Sequence, residues 1–257
     1  MIGPGLRPGP RCQARWAGRG SRVNGAPQAR SAEQSREVKG RAGLSRVCLL
    51  AAWTVAQLRA FLAAARQHRL FAFFHVAAYT GARRGELLNL RRQGTDLDGK
   101  KITITGSTAV IGGERVTGTT KSGRTRVVPI DDETVAVLWQ RKADQAAEQL
   151  KAGDSWRGTK DGYVFTTGWG EPIYPDTVTS LMTKLIRASR QLPHARLHDL
   201  RHLHATTLLL SGVPVHVVAA RLGHADPAIT LRVYAHVIRS AEAAAADIFA
   251  DAVKAAC

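Results

Sequence analysis

The chain of 257 residues contains 37 Lys and Arg against 20 Asp and Glu, a formal net charge of +17, and 44% of its residues are hydrophobic. Most of the chain can therefore fold around a core, and the basic charge indicates a polyanionic partner, most often nucleic acid. No apolar run approaches the roughly 20 residues of a membrane-spanning helix, and three scattered cysteines without a CxxC pair argue against a disulfide framework or a zinc site and predict a cytoplasmic protein.

The N-terminal segment, residues 1–50, is rich in Gly, Pro, Arg and Ser and holds ten basic but only two acidic residues. It has little apolar periodicity and cannot bury enough surface to offset the entropy of ordering, so we predict that it is disordered. Two interpretations of its charge remain open. It is either a solvated tail or an arm that binds DNA without sequence preference.

Order is predicted to begin at Thr54, because Thr54 and Gln57 have the spacing of a capping box ahead of a helical apolar pattern. A second apolar helix is predicted over residues 70–79, and a short helical segment over residues 83–90. Alternating patterns predict strands at 102–105 and 124–130, with a turn at Gly112 and Gly113 between them.

The second half of the chain is predicted to be mainly helical. Asp131 or Asp132 caps a long helix that reaches about Leu150, and residues 163–165 have the composition of a short strand. Further helices are predicted from about Asp176, His198, Pro214 and Pro227, and Asp226 is the predicted N-cap of the last one. Together these elements predict an α+β fold, mostly α-helical with a small antiparallel β-sheet.

A set of basic and aromatic side chains is spread along this pattern. His198 and Arg201 are three residues apart and face the same side of a helix, while Gly223 ends a helix directly before His224. The complete set is Arg83, Lys121, His198, Arg201, His224 and Tyr234. A zinc site formed by His198, His202, His204 and His224 is an alternative, but no clustered carboxylate or cysteine supports it, so we predict no metal.

In this order the residues resemble those of the tyrosine recombinases, the phage-integrase family of site-specific DNA recombinases. The resemblance covers about residues 52–250 and rests on the stretches TGARRGELLNL, TKSGRTRVVPI, HDLRHLHATTLL and ARLGHADPAITLRVYAH. It implies a tyrosine-recombinase-like catalytic domain over residues 52–257 and catalytic roles for the six residues above. Glu86 matches an acid that recurs in the family, and we interpret it as structural support.

The implied chemistry suits these residue types. Arg83 and Arg201 can each donate paired hydrogen bonds to the nonbridging oxygens of a phosphodiester, and His224 would add another donor. We expect the two arginines to lower the pKa of Tyr234, the nucleophile, from its unperturbed value of about 10. His198 would accept its proton, and Lys121 would protonate the departing 5′ oxygen. The resemblance implies a 3′-phosphotyrosyl intermediate and no cofactor.

The chain departs from the family pattern in two places. The family carries an N-terminal helical core-binding domain, and we expect that domain to be absent here because residues 1–50 do not resemble a helical bundle. We therefore expect weak DNA binding and poor site choice from this chain alone. Arg92 and Gly94 stand where the family often has Trp and Asp, which puts the packing behind the Arg83 helix in question.

The predicted partner is double-stranded DNA, with Arg84, Arg124 and Arg126 as candidate phosphate contacts. The resemblance also implies a homotetramer on DNA, built through the Ala-rich helix over residues 241–257, although that helix could equally cover its own core. Two other functions remain open. One is a truncated, weakly active or inactive DNA-binding remnant of an integrase, and the other is a type IB topoisomerase, which relaxes supercoils without site preference.

Overall fold

The computed structural model of the protein describes residues 53–120, 123, 125–159, 161–235, 249–251 and 253–254. The predicted disorder of residues 1–50 lies outside this range, as do Lys121 and Arg124. None of the helices in the described part of the chain is long and apolar enough to cross a membrane.

Helices dominate the described chain. They are α1 (Val55–Ala65), α2 (Phe71–Thr80), α3 (Arg84–Leu88), α4 (Asp132–Ala152), α5 (Pro175–Ser189), α6 (Leu197–Leu210), α7 (Val215–Leu222) and α8, which is described over residues 227–235. The strands are β1 (Thr95–Asp96), β2 (Lys101–Ile104), β3 (Gly106–Ile111), β4 (Glu114–Thr119) and β5 (Arg126–Pro129). Short 3-10 turns occupy Arg92–Gly94 and Gly153–Ser155. The predicted fold class, mostly helical with a small antiparallel sheet, is therefore confirmed.

The strands form two antiparallel units. Strand β2 lies between β1 and β5, with Ile102 opposite Val128, and both side chains are fully buried. Strands β3 and β4 form a hairpin whose turn is made by Gly112 and Gly113, both at positive φ, as the sequence predicted.

The main core is built from aromatic and aliphatic side chains of helices α1 to α6 and of strands β2 and β5. Phe61 and Phe73 each meet Phe74 edge to face, and Phe73 meets Phe165 in the same way. A smaller buried cluster joins the C-terminal helices and consists of Ala205, Val218, Leu222 and Tyr234.

Local capping signals in the sequence correctly place the helix starts. Thr54 and Gln57 form the predicted capping box, and the Asp131 side chain accepts a hydrogen bond from the Thr134 amide. Asp226 likewise accepts from the Ala228 amide at the start of α8. The predicted helices begin within about a residue of these caps.

The strand predicted over residues 163–165 is wrong. Tyr163 forms only an isolated bridge with Arg91. The carbonyl oxygens of Tyr163 and Val164 accept hydrogen bonds from the side chains of Gln145 and Arg141 on α4. Because these side chains take the place of a neighbouring strand, no ladder forms.

Polar stacking fills the region where the family often has Trp. The guanidinium carbons of Arg91 and Arg115 lie 3.7 Å and 4.6 Å from the ring centroid of Tyr163. Both arginines also donate hydrogen bonds to the Tyr163 hydroxyl, and Arg92 pairs with Gln145. These polar contacts stand in place of an aromatic anchor, and a cavity lined by Arg92, Leu138 and Gln145 lies beside them.

Candidate active site

Two arginines meet at the turn that ends α7. Gly223 ends the helix in the left-handed conformation at φ +69°, as predicted, and turns the chain towards His224. Arg201 Nη2 donates to the Leu222 carbonyl at 2.8 Å, and Arg83 Nη2 makes a long 3.5 Å contact with the Gly223 carbonyl. Consecutive carbonyls therefore hold both guanidiniums beside His224.

Arg201 is the more deeply placed of the two. Its side chain is buried, and its Nη1 donates to the Gly81 carbonyl at 2.7 Å, which connects α6 to the end of α2. Burial, followed by the nearby charge of Arg83, lowers the pKa of Arg201 to about 9, so the guanidinium stays charged at neutral pH. Two of its five N–H groups donate to these carbonyls, and the other three make no hydrogen bond with the residues that the structure describes.

Glu86 is shared between two arginines. Its carboxylate accepts from Arg83 Nη1 at 2.8 Å and from Arg126 Nη1 and Nη2 at 3.0 and 2.7 Å. It also accepts from the Arg83 backbone amide at the start of α3. Burial alone would raise the pKa of Glu86, but these hydrogen bonds outweigh it and hold the pKa below its usual value. Glu86 therefore orients Arg83 rather than facing the open side of the site.

His224 is held by the first turns of α8. Its Nδ1 lies 2.6 Å from the hydroxyl oxygen of the buried Thr230. Burial, followed by the charges of Arg201 and Arg83, lowers the pKa of His224 to about 4. The ring is thus neutral at pH 7, and it can donate to an anion through Nε2 when Nδ1 accepts from Thr230.

Tyr234 lies in the smaller buried cluster, with only 3% of its surface exposed. Its hydroxyl lies 3.0 Å from His202 Nδ1. Burial raises the pKa of Tyr234 to about 12, although the charge of Arg201 acts in the opposite direction. The expectation that the arginines would lower this pKa is therefore wrong in its net sign, because desolvation of the phenolate outweighs the one nearby arginine charge.

His198 does not contact the Tyr234 hydroxyl among the interactions of the described residues. It lies on the exposed side of α6, with its ring edge-on to the His202 ring at 4.7 Å. Desolvation, followed by the neighbouring His202 and Arg201, lowers the pKa of His198. Its role as proton acceptor stays a prediction.

The candidate phosphate contacts differ in how many of their guanidinium nitrogens already bind protein groups. Arg84 is partly exposed, donates to the Thr179 hydroxyl at 2.7 Å and pairs with Asp176 at 3.6 Å. All three guanidinium nitrogens of Arg126 already have protein partners, since Nε donates to the Arg221 carbonyl and the other two to Glu86. The roles of Arg84, Arg126, Arg124 and Lys121 stay predictions, and the last two residues lie outside the described range.

The histidines of the zinc alternative have other neighbours. Within the described residues, no three His, Cys, Asp or Glu side chains come close enough to hold a metal ion. His204 accepts a hydrogen bond from Arg221 Nε at 3.0 Å, and His202 and His224 face hydroxyl groups.

Two residues near the site were left out of the catalytic set predicted from the sequence, where His202 was named only for the zinc alternative. His202 contacts the Tyr234 hydroxyl, and Arg221 connects α7 to the Tyr79 and Pro129 carbonyls. Both lie inside the stretches that carry the resemblance, HDLRHLHATTLL and ARLGHADPAITLRVYAH. The spacing of four between His198 and His202 was a usable signal, because residues at i and i+4 share one helix face.

Comparison with known proteins gives consistent matches. Residues 52–240 match the sequence profile of the Phage integrase family. A "Tyrosine recombinase XerC-like" protein of Caldanaerobacter subterraneus subsp. tengcongensis is 33% identical over 188 residues, which are 68% of this chain and 47% of that protein. An integrase of Streptomyces ambofaciens is 33% identical over 199 residues, 73% of this chain and 50% of that protein. The chain thus spans about half the length of these curated relatives.

Solved structures share the fold. One is the Tn1549 transposon integrase, which was solved in complex with transposon right end DNA. It superposes with a TM-score of 0.65 at 19% identity, and the match covers 77% of this chain and 65% of the integrase chain. The catalytic domain of bacteriophage HP1 integrase has a TM-score of 0.51 at 23% identity, and the match covers 77% of this chain and 93% of that chain.

Proposed function

Because this chain belongs to the phage integrase family, we propose that its folded part is the catalytic domain of a site-specific DNA recombinase. The observation that carries the proposal is the arrangement at the end of α7. Arg83 and Arg201 contact consecutive carbonyls there, which brings two guanidiniums beside His224. The charge of Arg201 is also close enough to Tyr234 to act on the pKa of its hydroxyl.

The proposed reaction is an attack on a DNA phosphodiester by Tyr234. Negative charge that develops on the nonbridging oxygens would be stabilised by Arg83, Arg201 and His224, each fixed donor contributing on the order of 3 kcal/mol. Lys121 would protonate the departing 5′ oxygen, and His198 belongs to the same proposed set. The covalent 3′-phosphotyrosyl link keeps the energy of the phosphoester, so a second DNA end can reverse the step without ATP.

The buried position of Tyr234 adds a requirement to this proposal. With 3% of the residue exposed, the hydroxyl has little open surface, so we expect a local shift around Tyr234 to open it to a phosphate. We expect DNA binding to supply that shift, since the phosphate would bring a compensating negative charge to Arg83 and Arg201.

The partners and location are parts of the same proposal. Double-stranded DNA is the partner supported by the basic charge and the arginine pair, with Arg84 and Arg124 as further phosphate contacts, and the cytoplasm is the compartment. Arg126, whose nitrogens bind Glu86 and the Arg221 carbonyl, supports the site instead. A homotetramer on DNA through the C-terminal helix is supported by Phe249 and Val253, which are 73% and 52% exposed and available for a neighbouring copy.

The test is the capture of the covalent intermediate. We would incubate the purified chain with nicked suicide duplexes of randomised sequence, from which the cleaved strand diffuses away, and measure SDS-resistant protein–DNA adducts. Adducts are expected from the native chain and from the control Tyr174→Phe, whose ring is half exposed, but not from Tyr234→Phe. The proposal fails if the native chain forms no adduct or if Tyr234→Phe forms as much.

The two alternatives give different results in the same samples. A DNA-binding remnant retards DNA in a gel without forming an adduct. A type IB topoisomerase forms adducts at arbitrary sequences and relaxes supercoiled plasmid as a monomer, whereas a recombinase enriches particular sequences among its adducts.

A further inference from the structure

We infer that His202 is the residue that takes the proton from Tyr234 when the tyrosine attacks DNA. This inference rests on the proposed function and adds a catalytic residue to it. The observation behind it is the 3.0 Å contact between His202 Nδ1 and the Tyr234 hydroxyl, which joins α6 to α8 across 32 residues of sequence.

The contact geometry suits a proton acceptor. The distance is within the normal range for a hydrogen bond with a hydroxyl donor. For Nδ1 to accept the phenol proton, the ring's own proton must be on Nε2. His202 is half-buried, and its ring lies 5.9 Å from the tyrosine ring, centroid to centroid. A general base has to be within hydrogen-bond reach of the proton that it removes, and His202 meets this condition.

The charges around His202 allow the ring to be neutral before the reaction and charged after it. Burial is the largest effect that lowers the pKa of His202, and the charges of Arg201 and Arg196 lower it further. Asp199, one turn earlier on α6, raises the pKa and would stabilise the imidazolium once it forms. Tyr234 on the facing helix α8 contacts the ring directly, and His198 on α6 itself meets the ring edge-on.

The need for such a group follows from the tyrosine itself. The pKa of Tyr234 is about 12, so only a very small fraction of the phenol is ionised at neutral pH. An adjacent base removes the proton as the bond to phosphorus forms, and a positioned base typically contributes a factor of about 10² to 10⁴ in rate.

Atoms and electrons balance in this step. The Tyr234 oxygen forms a bond to phosphorus while the bond from phosphorus to the 5′ oxygen breaks, and the electron pair of the broken bond leaves with that oxygen. The tyrosine proton moves to His202 Nδ1, and the 5′ oxygen takes a proton from the acid of the proposed function. In the reverse reaction the His202 imidazolium returns its proton to the tyrosine.

The test is the pH dependence of adduct formation by His202→Asn, in the full chain with the nicked duplexes described above. An Asn side chain can place a hydrogen-bonding atom near the position of Nδ1, but it cannot take up a proton. At pH 7 we expect adduct formation to be about 100-fold slower than in the native chain. The deficit should shrink as the pH rises, because the phenol of the variant must ionise without help.

A structural role for His202 predicts a different result. A variant with a disturbed fold loses the same factor at every pH, so a deficit that does not change with pH would overturn the inference. His194→Asn is the matched control, since His194 is exposed in the loop before α6, and it should follow the native profile. Equal melting temperatures of the two variants would show that the fold is intact.

Four further results have a defined meaning. A nicked duplex with sulfur in place of the bridging 5′ oxygen needs no acid for its leaving group, so the His202→Asn deficit should persist with it; full rescue would make His202 an acid and overturn the inference. Faster adduct formation by His202→Asn would make His202 a latch that restrains Tyr234, with the same consequence.

No adduct from the native chain would refute the proposed function and this inference with it, whereas an active native chain with an equally active His202→Asn refutes the inference alone.

Discussion

At the residue scale, Glu86 shows how a buried charge can support a site without entering the chemistry. Its carboxylate is almost fully buried and is compensated by Arg126 on one side and by Arg83 on the other. Removing one partner of a buried ion pair leaves the other charges uncompensated, which costs more than the pair itself contributes.

We therefore expect Glu86→Gln to lower the free energy of unfolding by about 3 kcal/mol at pH 7 and to slow adduct formation, because Arg83 loses the group that orients it. Urea unfolding checks the first effect and the suicide-duplex assay the second. Glu114→Gln, at an exposed position on β4, is the control and should change neither quantity.

The loss of stability in the same variant should depend on pH. The folded-state pKa of Glu86 is held below its usual value of 4.5, so its contribution to stability is complete above about pH 4.5 and is lost as the pH falls through the folded-state pKa. The stability difference between the native chain and Glu86→Gln should therefore shrink on acidification. A difference that grows below pH 4.5 would contradict the ion-pair geometry.

At the scale of elements, the site depends on where short helices end and how closely they approach the hairpin. Helix α3 lies against β3 so tightly that a Cβ atom at Gly85 would be 2.3 Å from the Thr108 carbonyl oxygen. At the end of α7, a Cβ at Gly223 would be 2.6 Å from Arg126 Nη1, the group that holds Glu86.

Gly223→Ala tests whether the end of α7 positions the site. Alanine at φ +69° is strained, and its methyl group would also push the Arg126 guanidinium away from Glu86. Gly212→Ala is the matched control, because Gly212 has φ +81° but a methyl group there would meet no atom of the other described residues within 4 Å. Both variants should lose about 1–2 kcal/mol of unfolding free energy to backbone strain.

Only Gly223→Ala should lose more than that strain and also slow adduct formation by at least about tenfold, which corresponds to 1.4 kcal/mol. Denaturant unfolding and the suicide-duplex assay measure the two effects. Equal behaviour of the two glycine variants would show that the contact between the α7 turn and Arg126 does not matter for the site.

At the scale of the whole molecule, the net charge determines how the chain binds DNA. With +17 at neutral pH, binding to a duplex should be driven largely by counterion release from the phosphates. The ten basic residues of the 1–50 segment contribute to this charge whichever interpretation of that segment is correct.

We expect the logarithm of the binding constant to fall linearly with the logarithm of salt concentration, with a slope of about −0.9 for each phosphate neutralised. Fluorescence anisotropy with a labelled duplex measures the slope between low and physiological salt. A scrambled duplex should give nearly the same slope, because phosphates rather than bases release the counterions. An affinity that does not depend on salt would contradict the electrostatic account.

Much of the fold and the family of the chain could be predicted from the sequence by itself, whereas the roles of the site residues stay predictions. The caps at Thr54, Asp131 and Asp226, the turn at Gly112 and Gly113 and the helix end at Gly223 depend on residues within one or two turns of each other, so local patterns were sufficient. The order and spacing of the six basic and aromatic residues likewise identified the family.

The tertiary structure alone decided which side chains meet. In the structure His202, rather than His198, contacts the Tyr234 hydroxyl, and Arg126 binds Glu86. Residues 163–165 contact side chains of α4 and form no strand. The structure also reversed the expected sign of the Tyr234 pKa shift. The reason is that desolvation and partner choice depend on packing between segments far apart in the chain, which no local pattern encodes.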